Sequence, residues 1–323
     1  MDRYQKQIIL DNYGLDFQNK IKNIKVLIIG LGGIGCPVLI YLSNMGFENI
    51  GIIDNDIVEL SNLHRQIIYN ENDIGKLKTD CSEKYCKERN NNVNIEKYSL
   101  KLDNKNSTDI FKQYEIIIDC TDNIYTRYVI NDTCIILNKF YFFGSSIGTS
   151  GQIAIFNYPK YPCLRCIYPS NNYESCESSG VLGILPGIIG NLLVLEVIKY
   201  IQNNNVLIGK LLNFDIAHGI TNMNITNKNP KCIACSDNPS INEINISILD
   251  IYTEKCRIKN EYGINKSDNQ NIVFLNNIDS IDFLYKKYIN NKNNLYFDCE
   301  NKIKSKSLVN KLRLNKNNCW YII

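Results

Sequence analysis

Residues 25–66 read KVLIIGLGGIGCPVLIYLSNMGFENIGIIDNDIVELSNLHRQ, and this stretch decides the fold. It begins with an apolar, β-branched run that is typical of a strand buried on both faces. A glycine turn, an apolar helical pattern and a second strand ending at Asp54 follow. This order predicts a mononucleotide-binding unit, in which the turn admits phosphate to a helix N-terminus and the acid binds a ribose hydroxyl. The turn contains the glycines Gly30, Gly32, Gly33 and Gly35.

The motif alone also fits a nicotinamide dehydrogenase, or a turn whose glycines serve only packing. The chain continues with DND at residues 54–56 and then with SNLHRQ at residues 61–66, a polar and basic run just beyond the strand end. Ligand phosphates sit at that edge of the sheet, and a dehydrogenase has no need of such a run. The sequence here closely resembles the MoeB/ThiF family, whose members are ubiquitin-activating-type adenylyltransferases.

The resemblance implies an ATP site shared between two subunits of a homodimer. Lys78 matches the phosphate lysine of the family. The opening RYQKQ at residues 3–7 resembles a family segment whose second arginine reaches the partner subunit's nucleotide, and Lys6 stands at that position. Lysine keeps the positive charge but loses the planar, two-pronged grip on phosphate. The other residues that the resemblance assigns to the nucleotide are Asp54, Ser61, Asn62 and Arg65.

An apolar run at residues 114–118 ends in DCTDN, which predicts acids at the carboxyl edge of the sheet. Asp122 is placed to hold Mg²⁺ on the ATP phosphates, because hard cations prefer carboxylate oxygens. The alternative is that Asp122 caps the helix predicted at 125–137. The family pattern Asp-x-x-Asp-Asn favours the magnesium role and adds Asn123 to the nucleotide site. Asp119 is expected to support the turn.

Thirteen cysteines are many for a reducing compartment, and the odd number argues against a disulfide framework. Two C-x-x-C pairs offer four thiolates, which suit a closed tetrahedral Zn²⁺ site. A redox C-x-x-C is the alternative, but it would leave the second pair unexplained. The resemblance also implies a structural zinc with this long gap between the pairs. The four cysteines are Cys163, Cys166, Cys232 and Cys235.

Two further cysteines are candidates for covalent chemistry. Cys176 lies in a polar loop of small residues and matches the family cysteine that forms a thioester or disulfide with the carrier. Cys299 follows a predicted strand at 294–298 and precedes a helix predicted to run through residue 312, an arrangement that lowers a thiol pKa. This tail loosely resembles a rhodanese-like sulfurtransferase module with Cys299 as its persulfide carrier, although Glu300 and Lys302 depart from the usual loop.

The 323 residues suffice for one large α/β domain and a small one. We predict a Rossmann-like, doubly wound and mainly parallel sheet with a zinc site at 1–237, and a degenerate rhodanese-like domain at 238–323. Further strands are predicted at 93–98, 140–145, 152–156, 246–250 and 210–215, the last being the final strand of the main domain. Helices are predicted at 107–113 and 187–201, the latter contributing to the dimer in the family.

Composition sets the remaining expectations. The net charge of +3 gives no pull toward direct nucleic-acid binding or a membrane surface. No run of about 18 apolar residues is evident, so we expect no transmembrane helix. Recognisable chemistry begins at Arg3, which leaves no room for a signal or transit peptide and favours the cytoplasm.

The resemblance implies an enzyme that adenylylates the C-terminal glycine of a ubiquitin-like sulfur carrier ending in Gly-Gly. Thiols would then convert the acyl-adenylate to a thiocarboxylate, with a cysteine desulfurase as a persulfide donor. The tail favours tRNA wobble-uridine thiolation, then molybdopterin synthesis, then thiamine synthesis. A non-catalytic carrier-binding protein and a nicotinamide oxidoreductase are the alternatives, and neither His64 nor His218 stands in an evident proton relay.

Overall fold

The computed structural model describes residues 3–169, 180–237 and 239, together with the segments 272–275, 295–299 and 319–321. The described residues fall into two compact units. One unit contains the helices and an eight-stranded sheet, and the other contains a three-stranded sheet. The division of the chain at residues 237 and 238 into an adenylyltransferase and a rhodanese-like domain stays a prediction.

The large sheet has the strand order β3-β2-β1-β4-β5-β6-β7-β8. Its first five strands run parallel, and three antiparallel strands extend it beyond β5. The predicted α/β fold with a doubly wound, mainly parallel sheet is therefore confirmed. The strands are β1 Lys25–Ile29, β2 Asn49–Ile53, β3 Asn94–Tyr98, β4 Ile116–Asp119, β5 Tyr141–Ile147, β6 Ser150–Phe156, β7 Lys210–Asp215 and β8 Gly219–Asn224.

The prediction that residues 210–215 form the last strand of this unit is wrong, because β8 follows. Every residue of β8 is exposed, and the strand pairs with β7 alone through a tight connection. Its sequence, GITNMN, shows no alternation of buried and exposed positions, so the usual sequence signal of a strand is missing.

Helices cover the sheet, and α3 and α8 pack against each other as well as against its strands. Helix α3 follows the glycine turn, and α8 packs against α3, β5 and β6. The two helices approach closely, since a Cβ added to Gly190 would lie 2.5 Å from Pro37. The helices are α1 Gln5–Ile8, α2 Gly14–Asn23, α3 Gly35–Met45, α4 Lys78–Arg89, α5 Ser107–Phe111, α6 Ile124–Ile136, α7 Leu164–Ile167 and α8 Ile184–Ile201.

One helix, α8, is long and apolar enough to cross a membrane by length and composition, although it is not an uninterrupted apolar run; the absence of a transmembrane helix stays a prediction. This helix has 18 residues with a mean hydropathy of 1.8. More than half of it, 56%, is buried inside the protein, as a core helix of an α/β sheet requires. One such helix is weak evidence for a membrane span.

The second unit contains three parallel strands in the order β11-β10-β9. These strands are β9 Ile272–Leu275, β10 Leu295–Cys299 and β11 Cys319–Tyr321. The strand predicted at 294–298 is present as β10, and Cys299 is its last residue. The strand predicted at 246–250 and the helix predicted through residue 312 lie outside the described residues.

Candidate functional site

The candidate site lies at the carboxyl edge of the large sheet, where the strand order changes direction between β1 and β4. Strand β1 leads into the glycine turn, β2 leads into Asp54, and β4 leads into residues 120–122. In open α/β sheets, ligands bind in the crevice at such a switch point. Three segments that carry predicted nucleotide residues therefore meet at one edge.

Three of the four glycines are required by the protein itself. Gly30 has φ +90°, and a Cβ there would lie 2.9 Å from the Cys120 carbonyl oxygen. A Cβ on Gly35 would lie 1.9 Å from the carbonyl oxygen of Gly30, and one on Gly33 would lie 2.9 Å from Pro186. Gly32 differs, because its nearest neighbour would be the Gln66 amide at an ordinary 3.8 Å. Packing does not explain Gly32, so its missing side chain is available for a ligand.

This contrast predicts different outcomes for two alanine substitutions in one turn. Gly35→Ala is expected to destabilise the protein by about 3 kcal/mol, because the methyl group collides with backbone that cannot move aside. Gly32→Ala is expected to leave the melting temperature unchanged and to weaken ATP binding about tenfold through lost close approach. Thermal unfolding and ATP titration measure the two effects. Equal ATP affinity in Gly32→Ala and wild type would contradict a nucleotide role for this turn.

Lys78 is a buried cation surrounded by carboxylates. It is the first residue of α4, only 5% exposed, and its Nζ donates to Asp56 Oδ2 over 2.8 Å. Burial alone would lower the pKa of Lys78, but the charges of Asp54, Asp56 and Asp122 raise it above the ordinary value. The ammonium group of Lys78 therefore stays protonated.

Asp54 already supports the glycine turn. Its Oδ2 accepts a hydrogen bond from the Leu31 amide at 2.7 Å, and its Oδ1 accepts one from the Asp56 amide at 2.8 Å. Burial raises the pKa of Asp54, although Lys78 and these two bonds oppose the shift. Each carboxylate oxygen has a second lone pair, so Asp54 can still accept from a ribose hydroxyl.

The segment at 61–66 forms a turn that carries Arg65 beside the glycines. Arg65 Nη1 donates to the Ser61 carbonyl oxygen over 2.8 Å and lies 2.7 Å from His64 Nε2. Asn62 is buried, and its Oδ1 accepts a bond from the Glu59 amide, so its side chain serves the turn. Asn62 and Lys78 also line one side of a cleft of about 180 Å³.

Gln66 follows Arg65 directly and has no role in the nucleotide site that the family resemblance implies. Its side chain is 4% exposed, and its Oε1 has no hydrogen-bond partner among the described residues. Its amide nitrogen is the atom closest to the open side of Gly32. A buried amide oxygen without a partner is costly, which makes Gln66 a candidate ligand contact. Only its place directly after Arg65 could have indicated this from the sequence.

The structure separates the roles of the DCTDN residues. Asn123 caps α6, since its Oδ1 accepts a hydrogen bond from the Thr126 amide at 2.8 Å. The alternative that Asp122 is the cap is therefore wrong. The support role predicted for Asp119 is confirmed by its two bonds to Thr121. Asp122 is exposed, and its carboxylate accepts no hydrogen bond from the described residues.

The four cysteines of the two C-x-x-C pairs meet in one cluster. Their sulfur atoms all lie within 4.8 Å of one another. The separations are 3.6 Å for Cys163 and Cys232, 3.3 Å for Cys166 and Cys235, and 3.9 Å for Cys163 and Cys166. Each is far longer than a disulfide bond of about 2 Å. Four sulfurs bound to one zinc ion in a tetrahedron stand about 3.8 Å apart, so the cluster can hold such an ion.

Helix α6 anchors the first cysteine pair. Arg165 binds the fully buried Asp132 through two hydrogen bonds of 2.8 and 2.7 Å. The Leu164 amide donates to the Asn131 side chain at 2.9 Å. The cysteine cluster and Asn123 are thus attached to the same helix, so the cluster can affect the position of the candidate site.

Three further predicted site residues belong to other parts of the chain. Lys6 is exposed on α1, as expected of a residue that would act on a partner subunit. Cys176 lies outside the described residues. Cys299 belongs to the second unit, where it is the last residue of β10.

The chain matches the model of the ThiF family over residues 4–234. It is 41% identical over 264 residues to the protein named adenylyltransferase and sulfurtransferase MOCS3 of Culex quinquefasciatus, covering 80% of this chain and 59% of that protein. It is 37% identical over 277 residues to the MOCS3 of Dictyostelium discoideum, covering 84% and 64%. The chain thus spans about three fifths of the length of the curated relatives that it matches.

Among solved structures, the chain is similar to Escherichia coli MccB. The crystal structure of MccB with ATP gives a TM-score of 0.59 at 23% identity, covering 71% of this chain and 75% of that one. The structure with MccA-N7isoASN gives 0.64 at 24% identity, covering 73% and 75%. At this identity the likeness shows a shared fold.

Proposed function

The chain belongs to the ThiF family, and from this premise we propose that it is an ATP-dependent adenylyltransferase that activates the C-terminal glycine of a ubiquitin-like sulfur carrier. The observation that carries the proposal is the buried Lys78 cation among acids, at the edge where the glycine turn opens. The names of the relatives, adenylyltransferase and sulfurtransferase, support the same reaction. The crystallisation of MccB with ATP supports the nucleotide.

The reaction needs little acid–base catalysis. The nucleophile is a terminal carboxylate with a pKa of about 3.5, which is ionised at neutral pH. It attacks the α-phosphorus of ATP, the bond to the β-phosphate oxygen breaks, and pyrophosphate leaves an acyl-adenylate. Both reactants are anions, so the site must supply preorganised positive charge. Arg65 and Lys78 supply it here, with Lys6 from a second copy in a homodimer.

The remaining residues orient the nucleotide. Asp54 would accept from the ribose, and the turn at Gly30, Gly32, Gly33 and Gly35 would admit the nucleotide close to backbone amides. Ser61, Asn62 and Asn123 complete the set that the resemblance assigned. Gln66 joins them on the evidence of its buried, unpartnered oxygen.

Asp122 fits the role of a magnesium ligand. Its exposed carboxylate accepts no hydrogen bond from the described residues, and it lies close enough to Lys78 to raise the pKa of that lysine. Hard divalent cations are held in this way by one or two carboxylates together with substrate phosphates. When bound, Mg²⁺ would neutralise part of the triphosphate charge. The position of the Asp122 carboxylate would determine where the cation is held relative to Lys78.

Sulfur transfer would follow adenylylation. A persulfide sulfur carried on a cysteine attacks the acyl carbon and displaces AMP, which gives an acyl disulfide. A second thiol then attacks the cysteine sulfur, releases the carrier thiocarboxylate and leaves a protein disulfide, which a cellular thiol reductant must reopen. Cys176 and Cys299 are the proposed pair, and a cysteine desulfurase is the proposed persulfide donor. The thiocarboxylate would serve tRNA wobble-uridine thiolation, molybdopterin synthesis or both.

We also infer that the cluster of Cys163, Cys166, Cys232 and Cys235 holds a structural zinc ion. Four thiolates leave no open coordination position, so the ion would join the two chain segments and take no part in the reaction. We propose that the protein acts in the cytoplasm, without a membrane partner or a direct nucleic-acid partner.

Carrier-dependent exchange of labelled pyrophosphate into ATP tests the proposal. We expect exchange only with the correct Gly-Gly carrier, at a rate that Cys176→Ala leaves within about twofold, because thiol chemistry follows adenylylation. A carrier variant that lacks its last glycine is the matched control and should give none. The absence of exchange with every candidate carrier, in folded protein, would favour a non-catalytic carrier-binding protein. Pyridine-nucleotide reduction in place of exchange would indicate the oxidoreductase alternative.

A further inference from the structure

Thr121, the residue before Asp122, forms hydrogen bonds through its amide, its hydroxyl and its carbonyl oxygen. Its amide and its hydroxyl donate to Asp119 Oδ1 over 2.9 and 2.7 Å. Its carbonyl oxygen accepts a hydrogen bond from Arg127 Nη2 at 2.6 Å. On the other side of Asp122, Asn123 is fixed as the cap of α6. The exposed Asp122 carboxylate thus sits in a loop with both flanking residues fixed.

The groups that hold Thr121 are two buried side chains of opposite charge, Asp119 and Arg127. Asp119 is 0% exposed and Arg127 is 1% exposed, and the guanidinium lies over the Phe143 ring at 5.0 Å. Burial raises the pKa of Asp119, while Arg127 and the Thr121 bonds oppose the shift. Burying two charges is expensive, and a well-packed apolar pair often stabilises a protein as well or better. Two buried charges that both bind Thr121 are therefore candidates for a role beyond packing.

We propose that Asp119 and Arg127 are positioning residues that fix Thr121 and thereby set the place of the Asp122 carboxylate. The proposal rests on the proposed function, in which Asp122 holds Mg²⁺ on the ATP phosphates. The hydrogen bonds of the two residues link them to Asp122 through the backbone of Thr121. The two residues lie on β4 and α6, so they tie the loop to a strand and a helix at once.

Positioning of this kind affects the rate more than the binding of ATP. A displacement of about 1 Å at a catalytic group can lower a rate about 100-fold. The groups that would bind ATP most directly, Lys78 and the glycine turn, are held by other contacts. Displacement of Asp122 should therefore lower kcat and raise the magnesium concentration required, with little change in the KM for ATP.

Arg127→Lys tests the proposal, because it keeps the charge opposite Asp119 and loses the planar, multiple-donor grip. We expect kcat for carrier-dependent pyrophosphate exchange to fall about 10- to 100-fold, with the KM for ATP within about threefold. The half-saturating magnesium concentration should rise. In an Asp122→Asn background, Arg127→Lys should cause less than twofold additional loss, because the two residues act through one position.

Glu196→Gln is the matched control. Glu196 is 4% exposed, accepts from the Leu207 amide at 2.8 Å, and lies on α8 away from the Asp122 loop. Its substitution disturbs a buried charge that also holds backbone, and kcat should stay within about twofold of wild type. An Arg127→Lys protein with wild-type kcat and magnesium dependence would overturn the proposal. The proposal would also be overturned if Arg127→Lys lowered kcat as much in the Asp122→Asn background as it does in the wild type.

A second measurement does not depend on the reaction. Hydrogen exchange of the peptide spanning residues 116–127 should be at least tenfold faster in Arg127→Lys than in wild type or Glu196→Gln. The Thr121 carbonyl oxygen loses its Arg127 donor, so the loop should open more often and expose the Thr121 amide. Unchanged exchange would overturn the proposal even if the protein activates no carrier. Faster exchange together with wild-type inactivity on every carrier would refute the proposed function and retain the positioning role.

Discussion

Asp122→Asn is expected to lower carrier-dependent pyrophosphate exchange by about 10²- to 10³-fold, without lowering the melting temperature. The substitution removes a charged oxygen ligand from the proposed magnesium position, and losses of this size are typical when a preorganised electrostatic contact is removed. Stability should not change, because Asp122 is exposed and makes no described hydrogen bond. Initial exchange rates at saturating ATP and thermal unfolding measure the two quantities.

Two control variants separate this effect from general damage to the loop. Asp109→Asn changes an exposed acid whose carboxylate lies 3.5 Å from Lys112, and it should alter neither rate nor stability. Asn123→Ala removes the cap of α6 and should cost about 1 kcal/mol of stability. An Asp122→Asn protein that exchanges pyrophosphate at the wild-type rate would refute the magnesium role. If the melting temperature of Asp122→Asn fell as far as that of Asn123→Ala, Asp122 would have a structural role.

The first half of the sheet could be predicted from the sequence because its signals are local. The apolar run of β1 leads directly into the glycine turn, and Asp54 follows at the end of the next strand. An apolar run, a glycine turn and an acid in this order form a pattern that can be read within about 30 residues. Lys78 could be predicted only through the family resemblance, since nothing local distinguishes it from a surface lysine. Its burial among three acids is a tertiary property, produced by segments 22 or more residues away.

Two other features escaped prediction, each for its own reason. Capping by Asn123 and the exposure of Asp122 depend on one residue of register at the start of α6, and helix ends carry that uncertainty in any sequence. The hold on Thr121 requires Arg127 to reach back from the first turn of α6 to a strand end. The contact between Arg127 and Thr121 has no pattern in the chain, because it depends on how α6 packs at the end of β4.

Loss of the cysteine cluster is the second large effect that we expect. Cys232→Ser should remove zinc from purified protein that otherwise contains one ion per chain. It should also lower stability by more than about 4 kcal/mol, or about 8–16 °C in melting temperature. The ion would join segments 69 residues apart in sequence, and without it four thiols lie together with only weak hydrogen bonds between them. Metal analysis and thermal unfolding, repeated after treatment with a chelator, measure both consequences.

Cys81→Ser serves as the control, since it replaces another buried cysteine outside the cluster and should leave the zinc content unchanged. The effect of Cys232→Ser should reach the nucleotide edge as well. Arg165 and Leu164 of the first cysteine pair bind Asp132 and Asn131 on α6, the helix that begins at the Asp122 loop. Pyrophosphate exchange should therefore fall together with zinc content as metal is removed from the wild type. Zinc-free wild-type protein with unchanged melting temperature and exchange rate would show that the cluster is not a structural metal site.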